Sequence, residues 1–230
     1  MNSFNKKSKN KLLYFLQKFY WNLHSRTWDN YLVTTNYASE IENIVNFICS
    51  KNLTPSAKLL DIGCATGNYS VAFANKNFDV NGVDYSPSMI NKAKIKAAKL
   101  LVNNIQFLVA DLNYPLPFPN YEFNIVIAAH ILHGVPNLSF CIDEINRVLK
   151  QDGFLCLVVK NKKTKNKVIS NNSKSLIDNI LKFVKPFIFN KYKHWNINSL
   201  NLLEQVKLKH FAIYAQTETE NNTVIILQKI

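Results

Sequence analysis

Near the start of the chain large apolar residues recur at helical spacing. Leu12, Phe15, Leu16, Phe19, Tyr20 and Leu23 stand at i, i+3 and i+4, with Lys11, Gln17, Lys18 and Asn22 between them. The spacing predicts a basic amphipathic helix that packs against the domain, with a lid over the active site or contact with a membrane surface as the alternatives. A second helix is predicted from about Thr35 to Cys49, with Ile41, Ile44, Val45 and Ile48 on one face, leading through Thr54-Pro55 into a first strand. From there short apolar runs alternate with helical stretches. Strands are expected near 58–62, 78–83, 105–110, 123–128 and 153–160, and helices near 67–76, 87–100 and 138–150, with an irregular link after Asp111. Pro87 suits a first helical turn, and Asp152-Gly153 reads as a stop before the fifth strand. This alternation predicts an α/β chain built on a doubly wound, mostly parallel sheet. A helix near 198–207 then precedes two apolar runs, His210 to Gln216 and Thr223 to Gln228, joined by Glu220-Asn221-Asn222. These runs predict a terminal antiparallel hairpin, bringing the sheet to seven strands.

The chemistry concentrates where the first strand ends. Leu59-Leu60-Asp61-Ile62-Gly63-Cys64-Ala65-Thr66-Gly67 reads as a buried strand emptying into a glycine-bearing turn before a helix. Glycine there permits positive φ and close approach of backbone to a ligand, and a helix start offers free N–H groups to negative charge. Asp84, ending the second strand, follows at the distance from which a βαβ unit delivers an acid to a ribose. One adenosine-type cofactor would satisfy both elements.

The Asp61 to Gly67 turn, Asp84, Val109-Ala110-Asp111-Leu112 and the run from Phe123 to Gly153 together resemble the class I S-adenosylmethionine-dependent methyltransferases. The likeness is to the small-molecule group that includes quinone-biosynthesis enzymes, and it covers about residues 40 to 160. It implies a Rossmann-like sheet whose terminal hairpin separates it from nicotinamide-binding folds. It further implies one domain, residues 1–230: an N-terminal helical lid (1–50), a cofactor-binding core (51–160), and a substrate-side insertion with the hairpin (161–230). By resemblance the cofactor is S-adenosyl-L-methionine. Asp61 would engage its ammonium, and Gly63, Cys64, Ala65 and Gly67 would line its methionine part. Asp84 would hold the ribose hydroxyls, with Tyr85 and Met89 beside the adenine, and Asp111 and Leu112 would meet the adenine edge and face. Ala129 and His130 would face the methyl end. Ala65 stands where the family often has glycine. Trp21, Trp28, Tyr31 and Tyr37 become pocket candidates, as does His194-Trp195 from the insertion.

Methyl transfer is an in-line displacement that gains most from positioning in a desolvated pocket. Where the acceptor must lose a proton, His130 and His133 are the candidate bases, since imidazole titrates near neutrality. Nicotinamide chemistry is disfavoured because a third glycine and a Tyr-x-x-x-Lys pair are both missing. Amino-methylating enzymes of nucleobases carry an Asn/Asp-Pro-Pro-Tyr-like stretch after strand four, where this chain has Ala128-Ala129-His130-Ile131. Cytosine C5 enzymes use Pro-Cys, which neither Cys141 nor Cys156 matches. The expected acceptor is a small aromatic or apolar molecule. An RNA or tRNA methyltransferase and a non-catalytic cofactor-binding protein are the alternatives.

The remaining composition adjusts this picture little. At 230 residues and 47% hydrophobic the chain suits one α/β domain. Cys49, Cys64, Cys141 and Cys156 show no metal or disulfide spacing, so no metal is expected. The apolar segment after the charged start is interrupted by Gln17 and Lys18 and lacks a cleavage signal, so a cytoplasmic protein is expected. The net charge of +13 admits nucleic acid or an anionic membrane surface as partner. Lysine greatly outnumbers arginine, however, and codon usage in an AT-rich genome accounts for that equally well. Leu181, Phe183, Val184, Phe187, Ile188 and Phe189 crowd a basic stretch that could close a pocket or meet a membrane.

Overall fold

The computed structural model describes residues 2–34, 37–51, 57–161 and 210–230, with side chains of the first helix over 14–30. Helices α1 (Asn2–Thr34) and α2 (Tyr37–Cys49) lead into strand β1 (Lys58–Ile62). There follow α3 (Asn68–Ala74), β2 (Asp79–Asp84), α4 (Pro87–Lys99), β3 (Ile105–Val109) and β4 (Phe123–Ala129). A short 3-10 turn, Leu132–Gly134, and α5 (Leu138–Val148) lead to β5 (Leu149–Lys160), and β6 (Phe211–Glu218) and β7 (Asn222–Lys229) close the chain.

The seven strands form one sheet in the order β3-β2-β1-β4-β5-β7-β6. The first five run parallel; β7 pairs antiparallel with β5, and β6 antiparallel with β7. Strand alternation divides the core between the two faces. Leu60, Ile62, Val126, Leu155 and Leu157 pack with Ile142 and Ile145 of α5. Leu59, Ile125, Ile127, Cys156 and Val158 pack with Phe73 of α3 and with Ile41, Ile44, Val45 and Ile48 of α2. The predicted stripe of α2 is therefore the buried one. Glu40, one turn into the same helix, accepts from Thr219 Oγ1 (2.8 Å) and Asn222 Nδ2 (2.5 Å), tying α2 to the terminal hairpin.

Two expectations need correction. Asp152-Gly153 does not precede the fifth strand but lies inside it. Leu149 pairs with Phe123 and Phe154 with Ile125, so Lys150 to Gly153 bulge opposite Asn124. Asp152 takes φ +59°, and a Cβ on Gly153 would stand 2.8 Å from the Lys150 carbonyl oxygen. The second correction concerns α1, whose expected apolar stripe packs only in part. Tyr20 is buried and Leu16 and Leu23 are half-buried, but Phe15 and Phe19 are 64% and 50% exposed, while the polar Gln17 and Ser25 are buried. Polar side chains of the helix thus take part in meeting the neighbours of the sheet. The helix expected near 198–207, the run from Leu181 to Phe189 and His194-Trp195 lie outside the described residues.

Candidate active site

The turn after β1 is fastened to β2: the Gly63 and Cys64 amides donate to the Val83 carbonyl oxygen at 2.8 and 3.0 Å. Gly63 and Gly67 take φ +70° and +79°, which glycine alone adopts without strain. Side chains would be blocked there as well, since a Cβ would come within 2.5 Å of Ile131 and 2.7 Å of Phe107. Ala65 also lies in the left-handed region, at φ +48°, where the resembling family often places glycine. The half-buried turn carries Cys64 beneath it, buried with Ile90, Ala93 and Phe107.

Two acids end the strands beneath this turn. Asp61 is 2% exposed, and its Oδ2 accepts from Ser70 Oγ at 2.5 Å. Burial pushes its carboxyl up to about 7, and the Asp84 charge adds to the rise. Asp84, 9% exposed, accepts from the Ala65 amide (3.1 Å) and the Ser86 amide (2.8 Å). Burial pushes it up to about 6, although both amides work against the rise. Among the described residues neither acid forms an ion pair. Two buried carboxyls beside a glycine turn, with no cation paired to them among the described residues, fit a ligand that brings a positive charge and hydroxyl donors.

Helix α1 crosses the carboxyl ends of three strands in succession. Tyr14 Oη donates to Asp111 Oδ2 (2.5 Å) after β3. Asn22 Oδ1 accepts from Ser86 Oγ (2.6 Å) after β2 and from the Ser88 amide (3.4 Å) at the start of α4. Asp29 Oδ1 accepts from Thr66 Oγ1 (2.6 Å) after β1 and from Lys96 Nζ (2.9 Å). Burial works to raise the Asp29 carboxyl, but the Thr66 and Lys96 bonds outweigh it and hold the group below its ordinary value. Positions 14, 22 and 29 fall on one helix face by their spacing of eight and seven. That spacing was the available signal for these residues, which sequence reasoning missed along with Thr66 and Lys96.

The adenine-side candidates are arranged unequally. Tyr85 is half-buried, with its ring 6.1 Å from that of Tyr14, and Leu112 is half-buried against the core. Met89 is fully buried and donates its amide to Ser86 Oγ at 3.2 Å. Asp111 Oδ1 is held by the Asn113 amide and side chain at 3.0 and 2.8 Å, leaving Oδ2 to Tyr14.

At the end of β4, Ala129 is half-buried and His130 takes φ +56°, its amide bonded to the Val158 carbonyl oxygen at 2.9 Å. The His130 ring lies 6.1 Å from Tyr37, and its buried Nε2 has no hydrogen-bond partner among the described residues. Burial, with His133 and Lys160 nearby, lowers its pKa to about 3; burial and Lys160 lower that of His133 to about 4. Both imidazoles are neutral at physiological pH. Trp21, His24 and Trp28 stack along another face of α1, with the two indoles 5.9 Å apart and edge-on. The Tyr31 side chain lies outside the described residues. No group of three or more His, Cys, Asp or Glu is placed to hold a metal among the described residues, and Cys49, Cys64, Cys141 and Cys156 are free thiols.

Comparison with known proteins places this geometry in a family. A methyltransferase domain family matches residues 53–212. A demethylmenaquinone methyltransferase of Leptospira interrogans is 35% identical over 138 residues, which is 58% of this chain and 50% of that one. The chain thus spans about half the length of that relative. Among solved structures, a SAM-dependent methyltransferase from Methanosarcina mazei superposes with TM-score 0.59 at 23% identity, over 80% of this chain and 97% of that one. The [4+2]-cyclase SpnF superposes with TM-score 0.64 at 16% identity, over 82% and 80%. At such identities the likeness concerns the fold alone, and the cyclase illustrates that one fold serves more than one chemistry.

Proposed function

Since this chain belongs to the methyltransferase domain family, we propose that it transfers a methyl group from S-adenosylmethionine to a small, apolar or aromatic acceptor. The observation that carries the reading is the pair of buried carboxyls, Asp61 and Asp84, set at the glycine turn without an ion pair among the described residues. When bound, S-adenosylmethionine supplies an electrophilic methyl on a sulfonium sulfur. Asp61 would face its ammonium, and the backbone of Gly63, Cys64, Ala65 and Gly67 would admit its methionine part. Asp84 would turn from the Ala65 amide to the ribose hydroxyls. Tyr85, Met89, Asp111 and Leu112 would bound the adenine, with Met89 acting from within the core. Residues 1–50 would form the lid, 51–160 the cofactor core and 161–230 the acceptor side.

His130 suits a positioning role better than that of a strong base. Its Nε2 is buried and without a partner among the described residues, and its pKa of about 3 makes the imidazole a poor proton acceptor. A neutral ring beside that of Tyr37 can orient an acceptor by one hydrogen bond while excluding water. His133, with a pKa of about 4, would likewise stay neutral. The small-molecule acceptor draws support from the relative in Leptospira, a demethylmenaquinone methyltransferase.

Calorimetric titration of the full chain with S-adenosylmethionine and S-adenosylhomocysteine, against NAD, tests the reading. Micromolar binding lost in Asp84→Ala is expected, and NAD binding with no sulfonium binding would sink it. The pH dependence follows from the shifts. Asp61 and Asp84 have folded pKa values of about 7 and 6, above the ordinary 3.8. Their protonated forms therefore favour the folded, ligand-free protein, and that contribution fades as pH rises from about 4 through about 7. A cationic ligand needs the ionised acids, so affinity should rise between pH 5.5 and 7.5, by at most about tenfold per pH unit for each proton released.

A further inference from the structure

We propose that the outward face of α1, with the lysines of α4 beside it, docks the protein on an anionic lipid bilayer. The orientation of α1 is the first observation. The helix meets its neighbours through Tyr14, Asn22 and Asp29, with Tyr20 buried and Leu16 and Leu23 half-buried, and leaves two phenylalanines of its apolar stripe outside that packing. Phe15 and Phe19, at i and i+4, stand 64% and 50% exposed, and Arg26 extends the same solvent stripe. Two adjacent exposed phenylalanines on one helix face mark an interaction surface more than a solvated one.

Charge is the second observation. Residues 1–28 contain Lys6, Lys7, Lys9, Lys11, Lys18 and Arg26 and no Asp or Glu. Residues 85–110 contain Lys92, Lys94, Lys96 and Lys99, again without an acid. The two segments are joined in space. Asn22 meets Ser86 and Ser88 where α4 begins, and Asp29 meets Lys96 further along, so α1 runs beside α4. Asp29 neutralises Lys96 alone. Lys94, Lys99 and Ile95 are exposed on α4, Ile95 by 48%. Apolar side chains flanked by unbalanced lysines suit the boundary between anionic headgroups and acyl chains. Each basic residue near such a surface strengthens binding about fivefold. A nucleic-acid groove would favour arginine and recessed stacking aromatics over protruding ones. No helix among the described residues is long and apolar enough to cross a membrane, so the contact is peripheral.

Vesicle co-sedimentation of the full chain tests this surface. Binding is expected to vesicles of equal parts phosphatidylglycerol and phosphatidylcholine, to weaken as salt is raised, and to be absent with phosphatidylcholine alone. Phe15→Ser/Phe19→Ser should weaken binding about tenfold or more. Its melting midpoint should not change, because neither ring is buried and the bonds from Tyr14, Asn22 and Asp29 are untouched. Lys94→Gln/Lys99→Gln, whose helix carries no such apolar stripe, should weaken binding several-fold independently. Failure of the folded parent to bind the anionic vesicles would overturn the proposal, as would binding unaffected by both variants. Binding to double-stranded RNA in place of vesicles, unchanged by the phenylalanine variant, would also overturn it and assign the charge to nucleic acid.

Discussion

Helix α2 turns Ile41, Ile44, Val45 and Ile48 into the core beside Phe73 and Leu59, whereas α1 turns Phe15 and Phe19 to solvent and meets the carboxyl ends of β3, β2 and β1 with Tyr14, Asn22 and Asp29. Burying each aliphatic side chain of α2 contributes roughly 1.5–3 kcal/mol. Each hydrogen bond of α1 contributes about 1 kcal/mol net, and the part-exposed Lys96–Asp29 pair less. The difference sets α2, a wall of the apolar core, apart from α1, a cover fastened by a few polar bonds. Tyr14, Asn22 and Asp29 bond to residues following β3, β2 and β1, so releasing them uncovers the edge where an open α/β sheet binds ligands.

The comparison breaks most visibly at Ile44. Ile44→Ala should cost about 3 kcal/mol and lower the melting midpoint by roughly 6–12 °C at this chain length. A shift near zero would mean that α2 is not docked through its apolar face. Glu40→Ala should cost less, about 1–3 kcal/mol, by leaving Thr219 and Asn222 short of an acceptor. Differential scanning calorimetry would rank it between the two helices' effects. Asn22→Ala and Asp29→Ala should each cost under about 1 kcal/mol globally. Their effect should appear locally, as faster amide exchange in α1 with α2 unchanged. Asp29→Ala matching Ile44→Ala in stability would erase the distinction between wall and cover.

The strands, the glycine turn and the two acids were legible from the chain because each depends on neighbours in sequence. Leu59 to Ile62 reads as a buried run, and Asp84 ends the next such run. The positive φ of Gly63 and Gly67 belongs to a turn that glycine spacing already announces. The hairpin followed from two apolar runs and a polar turn, and the stripe of α2 from its period.

Tertiary structure decided what depends on partners distant in the chain. Helical periodicity sets Phe15 within one sector of the helix with Phe19, Asn22 and Asp29, but which of these side chains finds a partner depends on Ser86, Thr66 and Lys96, which only folding assembles. The bulge at Asp152-Gly153 depends on the register against Phe123 and Ile125. The neutral state of His130 and the raised pKa values of Asp61 and Asp84 come from burial, which desolvates the charged form whatever the sequence on either side. The sequence by itself determined the sheet and the place of its cradle, because local patterning specifies elements. The fold determined which face covers that cradle and what charge its acids carry, because long-range packing selects faces and solvent access sets ionisation.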